Sequence, residues 1–401
     1  MLVAGEASGD MLGAELVQAL RHEINEAAAP PTWDYQPLYT SFEPRFFGAG
    51  GPRMGAAGVE LAVDMTAHSV IGFSAVFKEL LKFRRLLHQL RSLALERQPD
   101  AIVCVDFGGF NRRFAHTIRE YVRTRADWFH DWSPKIIQYV SPQVWGSREG
   151  RAYAMARDLD LLLCTFAFEK DWYAKRVPRL PVEFVGNPIV ERYGPARPRP
   201  LFAASGASSS PCVLLLPGSR PGEVAAHLPV LADAARRIAA TRKANFKMVF
   251  PDESLLEQFK PLERQVAGLE IQIGRLDEAL RAADVALTKS GTIALECAYF
   301  GVPAVVFYKT SLVNYLVAKS IAKVKFIAMP NLLANEPVFP EFVQRAATGE
   351  NLARAALELL DDSARRARIQ ARLAEIVAML GCPGASRRAA RAILRLLQPA
   401  G

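Results

Sequence analysis

The chain reads as an α/β protein built of two Rossmann-like domains with a cleft between them. Three observations predict this. Apolar strand-like runs alternate with amphipathic helical stretches through most of the 401 residues, the pattern of parallel sheets flanked by helices. A Pro-, Ala-, Ser- and Gly-rich segment at 194–211 interrupts the alternation, which then restarts. Suggestive motifs stand just after strand-like runs, where open α/β sheets bind ligands. The expected division is an N-terminal domain at 1–193, a linker at 194–211 and a second domain at 212–380. A C-terminal helix at 381–401 has the option of packing back on the first domain.

In the first half, strands are expected at 2–4, 45–48, 101–106, 135–140, 161–165 and 182–185. Helices are expected at 11–21, 76–96 and 114–123. In the second half, strands are expected at 213–216, 247–250, 270–273, 284–287 and 304–308, with helices at 229–241 and 293–300. From Asn351 onward the chain is helical and rich in arginine: Arg365, Arg366, Arg368, Arg372, Arg387, Arg388, Arg391 and Arg395. These read as solvated helix faces, with an anionic membrane or sugar-nucleotide surface as the second reading.

The formal net charge of +9 points to an anionic partner: a phosphate-bearing substrate, a membrane surface or nucleic acid. No nucleic-acid module is recognisable, and the arginines lack aromatic interleaving, so nucleic acid ranks last. The five cysteines are scattered, and Cys104, Cys164 and Cys297 lie in apolar runs as small buried hydrophobes. No CxxC or His/Cys cluster has zinc spacing, and the usage suits a reducing compartment. No apolar run approaches ~18 residues, so no transmembrane helix is expected. The N-terminus does not read as a signal peptide. Met1–Ala4 reads as a clipped first strand.

The most informative motifs are Gly218-Ser219-Arg220 and Ser290-Gly291-Thr292-Ile293-Ala294-Leu295-Glu296. Small residues at a strand end before a helix let backbone N–H groups approach phosphate oxygens. Arg220 adds a planar permanent cation. Lys289 adds charge, Glu223 lies near, and Glu296 can accept ribose hydroxyls. Together they read as a nucleotide-diphosphate site. Asn331 and Gln344 can reach the same cleft.

In the first half, Gly5-Glu6-Ala7-Ser8-Gly9-Asp10 is either a strand–helix turn capped by Ser8 or Asp10, or a loop with Glu6 and Ser8 on a substrate. Gly48-Ala49-Gly50-Gly51-Pro52-Arg53-Met54 is a tight turn that also permits close ligand approach. Asp106 ends a buried strand ahead of a flexible loop, Phe107 to Asn111. It is a general-base candidate or a capping carboxylate. Tyr139 to Trp145, followed by Arg148 and Arg151, is a packed aromatic turn or a binding wall with a phosphate-facing arginine. Asn187-Pro188 is a strand-to-linker turn. Val70, Ile71 and Phe73 precede a helix in which Val76, Phe77, Leu80 and Leu81 interleave with Lys78, Lys82, Arg84 and Arg85. That mixture fits a core-facing helix or one dipping into an anionic bilayer interface.

In order from Gly5 to Gln344, these motifs resemble the lipid-A-disaccharide synthase family of glycosyltransferases, glycosyltransferase family 19. The resemblance implies a GT-B fold, with no metal and no cofactor. It implies UDP-2,3-diacylglucosamine as donor and 2,3-diacylglucosamine 1-phosphate as acceptor. The products would be a lipid A disaccharide 1-phosphate and UDP, through a β-1,6 bond with inversion. A cytoplasmic protein, peripheral on the anionic inner-membrane surface, is implied too.

Donor-side motifs are nearly intact: Gly218, Ser219, Arg220, Glu223, Lys289, Ser290, Gly291, Thr292, Glu296, Asn331 and Gln344. On the acceptor side stand Glu6, Ser8, Asp10, Met54, Asn111, Arg148 and Asn187, with Asp106 as catalytic base. Departures gather on that side. The usual Asp-Ala-Pro-Asp-Phe-Asn is here Asp106-Phe107-Gly108-Gly109-Phe110-Asn111, and Val-Gly-His-Pro is Val185-Gly186-Asn187-Pro188. Trp-Ala-Trp is Trp145-Gly146-Ser147, and Phe-Val-Glu is Phe73-Ser74-Ala75. Two alternatives follow: a divergent paralogue with another UDP-amino sugar or lipid acceptor, and a non-catalytic membrane-associated UDP-sugar-binding protein. An epimerase would want a paired carboxylate/His set in the first domain, and none is seen.

Overall fold

The computed structural model describes residues 1–28, 43–65, 76–125, 131–194, 210–259, 266 and 268–398, with the backbone alone at 27–28 and 76–82. They form two compact units: Met1–Arg192 with Leu380–Gly401, and Tyr193–Met379. Most of the expected linker lies outside the described residues.

Unit 1 runs β1 (Leu2–Ala4), α1 (Ala7–Ala28), β2 (Phe47–Gly50), α2 (Pro52–Ala56), β3 (Glu60–Asp64), α3 (Val76–Arg97) and β4 (Ala101–Val105). It continues with α4 (Gly108–Arg125), β5 (Lys135–Tyr139), α5 (Arg151–Asp158), β6 (Leu161–Cys164), α6 (Ala167–Arg176), β7 (Val182–Phe184) and α7 (Pro188–Tyr193). Its seven strands are all parallel, in the order β3-β2-β1-β4-β5-β6-β7. The central strands are unbroken apolar runs such as Ile102-Val103-Cys104-Val105 because helices cover both faces.

Unit 2 repeats the plan. It runs β8 (Cys212–Leu216), α8 (Pro221–Thr241), β9 (Asn245–Phe250), α9 (Glu253–Glu257), β10 (Leu269–Ile273), α10 (Leu276–Ala282), β11 (Val285–Lys289) and α11 (Thr292–Tyr299). Then come β12 (Ala304–Tyr308), α12 (Leu312–Ile321), α13 (Met329–Ala334), β13 (Glu341–Val343), α14 (Gly349–Asp361) and α15 (Ser363–Ala378). The parallel order is β10-β9-β8-β11-β12-β13. In both units the chain order reverses beside the first strand, between β1 and β4 and between β8 and β11. That is where such sheets open a crevice at their carboxyl ends.

Several boundaries differ from expectation for identifiable reasons. Helix α8 starts at Pro221, not Pro229: Pro221 takes the N-terminal position that proline favours, and Pro229 sits inside the helix on its exposed side. Phe107–Asn111 is not a flexible loop, because Gly108 already starts α4. Gly48-Ala49-Gly50 is strand, not turn. At Gly48, with φ 146°, a Cβ would stand 1.9 Å from the Leu2 carbonyl oxygen, so glycine lets β2 lie against β1. Glu341–Val343 forms a sixth strand of unit 2 that a three-residue polar segment does not announce. Cys104, Cys164 and Cys297 are buried free thiols.

The last helix, α16 (Ala385–Leu397), belongs to unit 1 and packs along α1 and over β5 and β6. Its arginines are bound internally. Arg387 and Arg391 grip Glu23, holding that carboxyl below its ordinary range. Arg395 pairs with Glu183 at 2.7 Å, and Arg388 donates to the Val185, Pro383 and Cys382 carbonyls. In unit 2, Arg365 and Arg372 pair with glutamates, and Arg366 donates to the Leu359 and Leu360 carbonyls. Seven of the eight tail arginines thus have acceptors within the chain, and Arg391 and Arg395 remain exposed, in keeping with the reading of them as solvated helix faces.

Candidate active site

In unit 2 the crevice at the order reversal is built by two loops. After β8 come Pro217-Gly218-Ser219-Arg220, and the end of β11 leads into Ser290-Gly291-Thr292. Gly218 has φ 126° and Gly291 φ 139°, conformations open to glycine. A Cβ would meet Glu223 Oε2 at 3.0 Å in the first case and Lys289 Nζ at 3.0 Å in the second. The two glycines therefore frame one charged pair: Lys289 Nζ lies 3.2 Å from Glu223 Oε2. Arg220 stands 3.6 Å from Glu223 and is half exposed. Ser219 and Thr292 are exposed beside them. Neither α8 nor α11 has a side-chain cap at its start. Uncapped first-turn N–H groups, two cations and one carboxylate make a net-positive cradle suited to a diphosphate.

Other donor-side candidates are placed differently. Ser290 Oγ donates to the Ile327 carbonyl at 2.7 Å, pinning the chain ahead of α13. Glu296 accepts from the Tyr193 hydroxyl at 2.9 Å. Asn331 is fully buried. Its amide donates to Phe339 O and Glu341, and its oxygen accepts from Phe339 N. Gln344 clasps the Thr310 backbone through both amide atoms. Asn331 and Gln344 thus use these polar atoms to hold loops of unit 2.

The sequence reading missed His227, one turn after Glu223 on α8. It is fully buried, with Nδ1 2.7 Å from Pro217 O and Nε2 accepting from Lys309 N at 3.2 Å. This imidazole ties the Gly218 loop to the end of β12. Burial holds its pKa below the ordinary value. Only its i+4 spacing from Glu223 could have signalled it.

In unit 1 the corresponding crevice lies beyond β1 and β4. Asp106 directly follows β4 with φ 49°, and Phe107 follows with φ 44°. Two consecutive left-handed non-glycine residues are strained. Buried amides hold them. Asn111 Nδ2 donates to Val3 O, Val105 O and Asp106 O at 2.9–3.2 Å. Gln138 Nε2 donates to Asp106 O at 3.1 Å and Val140 O at 3.2 Å. The Asp106 carboxylate accepts from Ser8 Oγ at 3.5 Å. Beside it Phe107, Phe110 and Phe83 form an aromatic group, with centroids 5.8–6.2 Å apart. A Cβ on Gly5 would sit 2.2 Å from the Phe107 ring, so the first motif's glycine makes room for this wall.

The remaining acceptor-side residues divide. Asp10 is buried inside α1, and its oxygens accept from Gly51 N, Arg53 N and Met54 N at 2.8–3.1 Å. It caps α2, not α1. Met54 is buried beneath Gly13 and Gly50. Asn111 is the clamp just described, and Asn187 accepts from Ile189 N at 3.1 Å to start α7. Each of the four has hydrogen bonds or packing within unit 1. Glu6 is partly exposed and Ser8 exposed at the crevice.

Arg148 is exposed ahead of Arg151 at the start of α5. The Arg151 guanidinium is held below its ordinary pKa by burial, then by Arg148, Arg112 and Arg113. Neither α4 nor α5 has an acidic residue in its first turn. Arg148 and Arg151 at the start of α5 and Arg112 and Arg113 in the second turn of α4 form a like-charged group whose repulsion an anion relieves. Behind them Trp145 Nε1 donates to buried Glu169 at 3.0 Å, and burial pushes that carboxyl up to about 7. Val70, Ile71 and Phe73 lie outside the described residues. Val76, Phe77, Leu80 and Leu81 lie in α3, where the backbone alone is described. A concavity of about 900 Å³ along α8, α14 and α15 holds none of the motif residues. Strand order, glycine geometry and charge locate the site.

A family profile described as lipid-A-disaccharide synthetase matches residues 1–394. The lipid-A-disaccharide synthase of Myxococcus xanthus is 35% identical over 408 residues, covering 100% of this chain and 97% of the relative. That of Geobacter sulfurreducens is 34% identical over 404 residues, covering 99% and 97%. Among solved structures, the glycosyltransferase of kitacinnamycin aligns with a TM-score of 0.59 at 18% identity, covering 99% and 98%. The S. aureus MnaA–UDP structure aligns at 0.59 and 13% identity, covering 99% and 96%. At those identities the structural matches speak to fold, and the fold is GT-B.

Proposed function

We infer the chemistry of this chain from the family it belongs to, the lipid-A-disaccharide synthetases: it is a glycosyltransferase of lipid A biosynthesis that takes a UDP-sugar donor. The observation that carries the reading is the family match from end to end, with a cationic, glycine-framed crevice in unit 2 where a diphosphate fits. We further propose UDP-2,3-diacylglucosamine as donor and 2,3-diacylglucosamine 1-phosphate as acceptor. Three features of unit 1 support an acylated, phosphorylated acceptor: the Phe83–Phe107–Phe110 wall, the exposed Ser8 and the four-arginine group.

The reaction proposed is a single displacement. An Asp106 oxygen takes the proton of the acceptor 6-hydroxyl as that oxygen bonds to the anomeric carbon. The bond from that carbon to the diphosphate oxygen breaks on the opposite face, inverting the centre, and UDP leaves with the electron pair. Arg220, Lys289 and the first turn of α11 meet the charge that develops on UDP. Glu223 holds both cations in place. Among the described residues no helix is long and apolar enough to cross a membrane. Peripheral attachment on the cytoplasmic face of the inner membrane is part of the same proposal.

The test is to incubate the protein with both acylated sugars and analyse the products by mass spectrometry. A disaccharide 1-phosphate together with UDP is expected. UDP release without a disaccharide would overturn the acceptor assignment, and no turnover of the donor at all would overturn the transferase reading.

A further inference from the structure

Helix α12 differs from every other long helix of unit 2: none of its residues is buried. Leu312, Val313, Leu316 and Val317 are 65, 66, 55 and 52% exposed. Their i, i+1, i+4, i+5 spacing puts all four on one face. The helix is properly made, with Ser311 Oγ accepting from Asn314 N at its start, and only Tyr315 and Ile321 of its residues are partly buried. A contiguous apolar face of this kind marks a contact surface.

Charge identifies what covers it. From Lys309 to Lys325 the chain carries Lys309, Lys319, Lys323 and Lys325 and no acidic residue. Lys319 Nζ lies 5.9 Å over the Tyr315 ring, on the same helix as the apolar face. An apolar face on a segment whose own charged residues are all cations fits an anionic lipid surface: the side chains enter the acyl boundary while ammonium groups such as that of Lys319 meet phosphates. It fits a second copy poorly, since each copy carries a net +9. We propose that α12 lies in the interface of an anionic bilayer. It is a membrane contact made by unit 2, separate from the 70–83 segment of unit 1.

The root of the helix is tied to the donor crevice. Lys309 N donates to His227, whose other nitrogen contacts Pro217 O next to Gly218, and Thr310 is clasped by Gln344. Docking α12 therefore places the rim of the donor crevice at the lipid surface.

Two variants of the full chain test this: Leu312→Ser/Val313→Ser/Leu316→Ser/Val317→Ser, and Lys319→Gln/Lys323→Gln/Lys325→Gln. Each is sedimented with phosphatidylglycerol–phosphatidylcholine vesicles and with phosphatidylcholine alone. Removing the apolar face should lower partition to the anionic vesicles about tenfold or more. Each lysine removed should lower it about fivefold at low salt. UDP binding in solution should stay at the wild-type value. A second measurement on the unmodified protein follows amide exchange over 312–321, which should slow when anionic vesicles are added. Unchanged partition in both variants, or no protection of 312–321, would overturn the proposal. So would a fall in oligomer mass with vesicle binding intact, which would make the face a contact between copies.

Discussion

The two units share a strand order but solve the same local problem in opposite ways. At its order reversal, unit 2 turns the chain with glycine: Gly218 and Gly291 adopt positive φ at little cost and leave room for Glu223 and Lys289. At the matching point unit 1 turns with Asp106 and Phe107, both left-handed, and Val140 at φ 67° follows the next strand. That strain is held by Asn111 and Gln138, which together donate to the carbonyls of Val3, Val105, Asp106, Tyr139 and Val140. The glycine solution leaves the main chain open and cationic, as a bound diphosphate requires. The strained solution fixes one carboxylate and one aromatic ring in a set direction, which suits the base and the apolar wall proposed for them.

The sharpest way to break the comparison is Asp106→Asn. It should lower kcat about 10²–10⁴-fold while UDP affinity, read by calorimetry, is unchanged. Near-normal turnover would remove Asp106 from the role. Arg220→Ala in unit 2 should cost about 3–4 kcal/mol of barrier, some 10²–10³-fold in kcat, and should weaken UDP binding as well. If only kcat moved, Arg220 would not be a ground-state contact.

The Asn111 clamp should show in stability. Asn111→Leu leaves buried carbonyls without a donor and should lower unfolding free energy by about 3 kcal/mol in a denaturant titration. An unaltered midpoint would mean that the Asp106–Phe107 turn holds itself.

The smallest effect separates the units by pH. Glu169 in unit 1 has its carboxyl raised from 4.5 to about 7 by burial. It binds its proton more tightly folded than unfolded, so its contribution is full below pH 4.5 and is lost as pH rises through about 7. His227 in unit 2 is shifted down by burial, so its contribution is present above the ordinary 6.5 and is lost as pH falls below it. Amide exchange in each unit should therefore show opposite pH slopes. Glu169→Gln should remove about 2–3 kcal/mol of the alkaline decline in unit 1 alone. Parallel slopes in the two units would contradict these assignments.

Much of the fold was legible in the sequence. Strands covered on both faces must be continuous apolar runs, so β4, β6, β8 and β11 declare themselves, and the helices between them fill in the parallel plan. Glycine at Gly218 and Gly291 was equally legible, because few other residues turn a chain that way beside a ligand. Asn111, Asn331 and Gln344 were read as ligand contacts because an amide has the same donors whether it meets a sugar or a carbonyl of its own chain. The acceptors of the tail arginines were not legible, because Glu23 lies more than 360 positions away along the chain from Arg387 and Arg391. Helix α12, apolar enough for a core, was placed in the open only by tertiary structure. Local pattern thus determined the elements, their parallel arrangement and the phosphate-type loops. Which polar groups are used up inside the protein, and which apolar ones are left outside, depends on residues distant in sequence, and only the folded chain decided that.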